Sequence, residues 1–179
     1  EELGASIRTI PRDAWFDLIL HSHDYPGMVG LFIHPASNRD VMAGQGTIGL
    51  EILEDLPDVN AVITPFGGGG LTAGVASAIQ LLKPSTRRYA CALDTGAPLA
   101  PSLAAGGPVT STPKPAPRYA SGLSGAPSVA EEMWPSLSSV VDGSLLMSVN
   151  ELATTIKLLV ERNHIVAEGA GAAAVATAL

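Results

Sequence analysis

Hydrophobic and polar positions follow a different rhythm in each part of the chain. Ala5 to Ile10 alternates loosely and predicts a short strand. Asp13 is placed to cap a short helix running towards His23. Gly30 to His34 is an apolar stretch between a glycine and a proline and predicts a second strand, and the polar run Ala36 to Asp40 predicts a loop. From Gln45 to Leu56 the apolar residues Ile48, Leu50, Ile52, Leu53 and Leu56 fall mostly at helical spacing, with Pro57 and Asp58 as the stop. Ala61 to Phe66 is apolar and β-branched, the pattern of a buried parallel strand. Four glycines follow, Gly67 to Gly70, and then a helical run Leu71 to Leu82 that Lys83-Pro84 ends. Arg88 to Leu93 predicts the next strand. Strand, helix and strand in such close succession form a βαβ unit with a right-handed crossover. The fold class expected is therefore α/β, an open parallel sheet flanked by helices.

The second half is less regular. Pro98 to Ala105 predicts a helix, and Pro108, Pro113, Pro115 and Pro117 impose an extended loop. Val129 to Leu137 predicts a helix limited by Pro135, and Ser144 to Val149 a strand. Asn150 is a candidate N-cap for a helix to about Asn163, striped by Leu152, Ile156, Leu159 and Val160. Gly169 to Leu179 predicts a helix of small residues, and no internal repeat is visible.

Composition narrows the function classes. Of 179 residues, 46% are apolar and 15% charged, enough to build a core, and aromatics are only 4%, so that core must be aliphatic. The net charge of −7 and the lack of a basic patch argue against a nucleic-acid partner. A single cysteine, Cys91, excludes an internal disulfide and a cysteine-rich zinc site. No apolar run reaches the ~20 residues of a membrane helix. No signal peptide opens the chain, so a cytoplasmic setting is expected, and a start at Glu1 without Met suggests a piece of a longer protein.

The glycine tetrad carries the chemistry. Successive glycines let backbone amides converge on an anion without Cβ clashes, and a following helix adds its positive end. A phosphate is the natural ligand. Gly68 to Ala73 satisfies the G-x-G-x-x-A dinucleotide pattern, with Asp94 where a ribose-binding acid would stand, which keeps an NAD-binding dehydrogenase open. No Lys-Ser/Thr follows, which argues against a P-loop ATPase.

The stretch His34-Pro35, the block Val41 to Leu53 containing Ala43-Gly44-Gln45-Gly46-Thr47, and Pro65-Phe66 with the tetrad and Leu71 closely resemble the fold-type II PLP enzymes. Within them the chain resembles the serine/threonine dehydratase and serine racemase group. The similarity continues through Leu103-Ala104-Ala105-Gly106, Ala120-Ser121-Gly122-Leu123, Leu159 to Arg162 and Glu168 to Ala173. It implies pyridoxal 5′-phosphate as cofactor, its phosphate held by Gly67, Gly68, Gly69, Gly70 and the amide of Leu71. It implies Glu168 as a catalytic candidate beside the cofactor and the reacting substrate. The activity implied is release of ammonia from serine, threonine or another β-hydroxy amino acid to give a 2-oxo acid. The family's racemases are the alternative, and a homodimer is expected.

The chain also departs from that pattern. The family's lysine, in a Ser-x-Lys-x-Arg-Gly setting, and its Ser-x-Gly-Asn-His loop are absent. Lys83, Lys114 and Lys157 read as solvated surface, so this chain alone is expected to be inactive, and a non-catalytic fragment stays open. Truncation at both ends is the reading this suggests. Residues 1–40 would end a small domain and 41–179 would form much of a large cofactor-binding domain. Ala36 replaces the larger residue used beside the cofactor ring, Ser121 stands in the family's Ala-Asp-Gly, and Ala92-Leu93 replaces a metal-binding Glu, so no metal is expected there. His21, His23 and Asp24 have poor metal-ligand spacing. His34 is expected to pack or cap near a strand end, and His164 to complement a helix C-terminus. Ser124 and the serines at 136, 138 and 139 show no nucleophile elbow, and Cys91 is expected as a packed hydrophobe.

Overall fold

The computed structural model describes residues 3–21, 25–27, 29–114, 116–123 and 128–179. Helix α1 (Arg12–His21) precedes α2 (Arg39–Asp55), β1 (Ala61–Pro65), α3 (Gly70–Leu82), β2 (Arg87–Leu93) and α4 (Leu99–Ala105). A short 3-10 segment (Arg118–Leu123) leads to α5 (Trp134–Val140), β3 (Gly143–Met147), α6 (Val149–Asn163) and α7 (Gly169–Ala178). The three strands form one parallel sheet in the order β1-β2-β3. Ala61 lies opposite Arg87, and Tyr89 opposite Gly143.

Strand β2 organises the core because its side chains alternate between two buried faces. Cys91 and Leu93 face a cluster with Met147, Leu152, Leu159, Ala172 and Ala173, built on α6 and α7. Ala90 and Ala92 face Phe66, Ala73, Leu99, Met133 and Leu137, on the side of α3, α4 and α5. Arg88, at the start of β2, is buried. Its Nε donates to the Val140 carbonyl at 2.8 Å and its guanidinium pairs with Asp142 at 3.1 Å, which ties β2 to the turn before β3.

Helices α2 and α3 pack through glycines. A Cβ on Gly49 would stand 2.9 Å from the Val75 carbonyl oxygen, and one on Gly74 would overlap the Met42 carbonyl. The backbones can approach this closely only without those side chains.

Several elements differ from expectation. Ala5–Ile10 and Gly30–His34 are not strands, because no neighbouring strand pairs with them among the described residues. Ile7, Leu31 and Ile33 stay exposed, Leu31 at 88%, while Ile10 and Phe32 are half-buried. Helix α2 starts at Arg39, six residues before Gln45, and shortens the expected loop. The Asn38 side chain caps it, accepting from the amides of Asp40 and Val41 at 2.9 and 3.0 Å. The cap of α6 is Ser148 rather than Asn150, in a reciprocal capping box with Glu151, so β3 ends at Met147. Pro135 sits in the first turn of α5 and opens that helix instead of limiting it. Ser22, His23, Asp24, Pro115 and Ser124 lie outside the described residues.

Two outcomes follow from the packing. Gly74→Ala is expected to lower stability by about 2 kcal/mol or more, read by chemical denaturation, because two helix backbones must separate. Burial pushes the Cys91 thiol up from 9.0 to about 11, with the Thr177 side chain opposing the shift. The folded chain holds that proton more tightly than the unfolded chain. Stability drawn from it is thus complete below pH 9 and lost as pH rises through about 11. Cys91→Ala should remove that part of the alkaline slope, and the native thiol should resist alkylation until the chain unfolds.

Candidate active site

The site is built where β1 hands the chain to α3. The Phe66 amide donates to the Cys91 carbonyl at 2.8 Å, carrying the ladder one residue past β1. Buried Thr64 and Thr72 clamp the turn, with hydroxyls 3.1 Å apart, and Thr72 donates to the Pro65 carbonyl at 3.3 Å. Between them run the four glycines. Gly69 has φ +95°, a left-handed conformation that glycine adopts freely.

The back of this loop is packed solid. A Cβ on Gly67 would lie 2.8 Å from the Gly122 carbonyl oxygen, on Gly68 2.8 Å from Ala36 Cβ, and on Gly69 2.9 Å from Leu137. On Gly70 it would meet the Ala36 carbonyl oxygen at 2.6 Å. The front opens onto a cavity of about 760 Å³, in the range of small-molecule sites. Gly67, Gly68, Gly69, Gly70 and Leu71 all line it. The first helical bond of α3 runs from the Ala73 amide to the Gly69 carbonyl at 2.8 Å. Among the described residues, the amides from Gly68 to Thr72 meet no protein acceptor. The result is a row of donors at the positive end of a helix, shaped for a tetrahedral anion. A phosphate fits this cradle, since any side chain on the glycines would displace the loop that forms it.

The loop behind the cradle is fixed by His34. Its Nδ1 accepts from the amides of Ala36 and Ser37 at 3.1 and 2.8 Å, and the ring meets Phe32 edge-on. His34 therefore caps the turn that follows it, although the strand end beside which it was expected is absent. His164 takes the left-handed cap position of α6.

Other expected residues fall differently. Glu168 is the exposed N-cap of α7, at the rim rather than in the lining, with its Oε1 3.9 Å from where a Cβ of Gly122 would stand. Asp94 is exposed and does not line the cavity. Lys114 and Lys157 are exposed, the latter paired with Glu161 at 3.7 Å. Lys83 corrects its reading as solvated surface, for it is half-buried and donates to the carbonyls of Pro57 and Val59. None of the three lines the cavity. Among the lining residues not singled out from the sequence are Trp15 and Phe16 on α1 and Arg118 on the 3-10 segment. Only tertiary folding brings them to the glycines, so no local spacing announces them. Among the described residues no cluster of His, Cys, Asp or Glu could hold a metal ion, and no helix is long and apolar enough to cross a membrane.

The pyridoxal-phosphate dependent enzyme family matches residues 26–179. The chain belongs to this family. Pyridoxal 5′-phosphate is the family's cofactor, which sides with the phosphate cradle and against the dinucleotide pattern. An L-threonine ammonia-lyase of Thermotoga maritima is 36% identical over 93% of this chain and 40% of its own length. A serine racemase of Oryza sativa is 33% identical over 83% of this chain and 43% of its own. Among solved structures, the processed threonine deaminase isoform 2 of Solanum lycopersicum superposes with TM-score 0.76 at 32% identity, over 83% of this chain and 42% of that one. The fold is thus that of the fold-type II enzymes. The chain spans about four-tenths of the length of these curated relatives.

Gly70→Ala tests the cradle's backing. Its conformation suits alanine, so the clash with Ala36 is the cause of any effect. A loss of about 2 kcal/mol in thermal or denaturant unfolding is expected.

Proposed function

We propose that this chain is the phosphate-holding portion of a PLP-dependent ammonia-lyase. The substrate would be serine, threonine or another β-hydroxy amino acid, and the products a 2-oxo acid and ammonia. The observation that carries the reading is the row of unengaged amides from Gly68 to Leu71 at the front of a packed glycine loop. The relatives named as threonine ammonia-lyase support the reaction class.

When bound, PLP supplies the electron sink that makes an amino acid's α-proton removable. The residues of this chain hold and orient. Gly67, Gly68, Gly69, Gly70 and Leu71 would grip the phosphate. Ala36, Leu137 and Gly122 brace the loop from behind, so binding needs no rearrangement there. Glu168 stands at the rim, where its carboxylate can accept or return a proton near the substrate. The covalent lysine and the α-proton's base would come from the part of the protein outside this chain, so the chain alone would bind PLP without turning over substrate.

Racemisation is the second reading, favoured by the serine racemase relatives and by its shared first step, removal of the α-proton. We read residues 1–40 as the end of a smaller domain, because the apolar side chains at Ile7, Val29, Leu31 and Ile33 are exposed while the core lies further on. A homodimer and a cytoplasmic setting go with this reading on resemblance alone.

Titration of the chain with PLP, followed by the fluorescence of Trp15 and Trp134, tests the proposal. A saturable response is expected to PLP and none to NAD. Gly68→Asp should weaken PLP binding at least about tenfold, since a carboxylate would replace a donor's free approach and crowd Ala36. A response to NAD alone that depends on Asp94 would overturn the reading.

A further inference from the structure

The cavity is lined almost wholly by uncharged groups, with Trp15, Phe16 and Leu71 as apolar walls and Gln45 and Ser121 as neutral polar ones. Arg118 is the charged exception among the described lining residues. No ion pair or hydrogen bond engages its side chain among those residues.

The backbone that carries Arg118 is held from two sides. The Gly122 carbonyl approaches Gly67, and the Tyr119 carbonyl packs against Gly169 at the start of α7 so closely that a Cβ there would overlap it. The 3-10 segment is therefore docked on the tetrad and on α7, with the Arg118 side chain free to reach into the cavity.

A phosphate is already met by a row of amides and a helix N-terminus. The rest of the lining carries no charge to balance. A guanidinium beside such walls attracts anions more strongly than one in open water, and its planar fork matches a carboxylate or phosphoryl group. The chain has a net charge of −7, and the Glu168 carboxylate stands near the same segment. The lone cation is thus a local exception to an acidic background.

Resting on the functional reading above, we propose that Arg118 selects, among β-hydroxy amino acids and their O-phosphoryl derivatives, a substrate whose side chain also carries an anion, a carboxylate or a phosphoryl group. A neutral hydroxy-amino acid leaves this cation unanswered, whereas an acidic side chain pairs with it at the exposed edge of the cavity.

The test uses the protein expressed from its whole reading frame and loaded with PLP. L-Serine, L-aspartate and O-phospho-L-serine are titrated, with the cofactor's absorbance as readout. The acidic ligands are expected to bind roughly tenfold or more tighter than L-serine. That preference should shrink as ionic strength rises, vanish in Arg118→Gln and survive in part in Arg118→Lys, with PLP affinity unchanged. Equal affinities in the wild type would overturn the proposal. An equal loss for serine and aspartate in Arg118→Gln would assign the cation to the α-carboxylate, and a loss of PLP affinity would assign it to the phosphate. Either result also overturns the proposal. A wild-type protein that binds no PLP would overturn the functional reading together with it. PLP binding without an acidic preference would overturn this inference alone.

Discussion

Everything at the site depends on how closely backbone can approach backbone where β1 becomes α3. Four consecutive positions there have no room behind them for a Cβ, and each is a glycine. The constraint is mutual. Ala36, Gly122 and Leu137 press on the loop because the loop has no side chains, and the loop keeps its donors pointing forward because those neighbours leave it nowhere else to go. Phe66, tied to β2 through the Cys91 carbonyl, and the Thr64–Thr72 clamp fix its two ends. Preorganisation of this kind matters for anion binding, since donors already aimed need no ordering when the ligand arrives.

The same economy of side chains recurs through the fold. Helices α2 and α3 meet through Gly46, Gly49 and Gly74, and α7 rests on the 3-10 segment through Gly169. With few aromatics, the core is filled by small aliphatic residues and two methionines against one buried strand. Close helix packing thus substitutes for bulky side chains. It also transmits position, because the segment carrying Arg118 touches the tetrad at one end and α7 at the other.

Much of this was legible in the sequence where the signal is local. The run Ala61 to Phe66, the glycines and the helix after them announce a βαβ unit by periodicity and composition, and β2 and α7 lie within a residue or two of expectation. The failures have physical causes. A strand is a pairing, so Ala5–Ile10 and Gly30–His34 carry strand composition without a partner to make them strands. Gly44 and Gly46 dilute the helical pattern of α2 and hide its true start at Arg39. Ser148 outcompetes Asn150 as a cap because Glu151 completes a reciprocal pair with it. At the site, the tetrad was readable because four glycines in sequence are four donors in space. Trp15, Phe16 and Arg118 were not, because they reach the cavity from elements far away along the chain.

The central claim is that the amides from Gly67 to Leu71 hold the cofactor's phosphate. Backbone amide NMR of the 18.3 kDa chain tests it most directly, by comparing titrations with pyridoxal 5′-phosphate and with pyridoxal, which lacks only the phosphate. The account predicts that the largest shifts fall on these five amides with the phosphorylated ligand and fade with pyridoxal. Equal shifts with both ligands, or shifts concentrated away from the glycines, would contradict it.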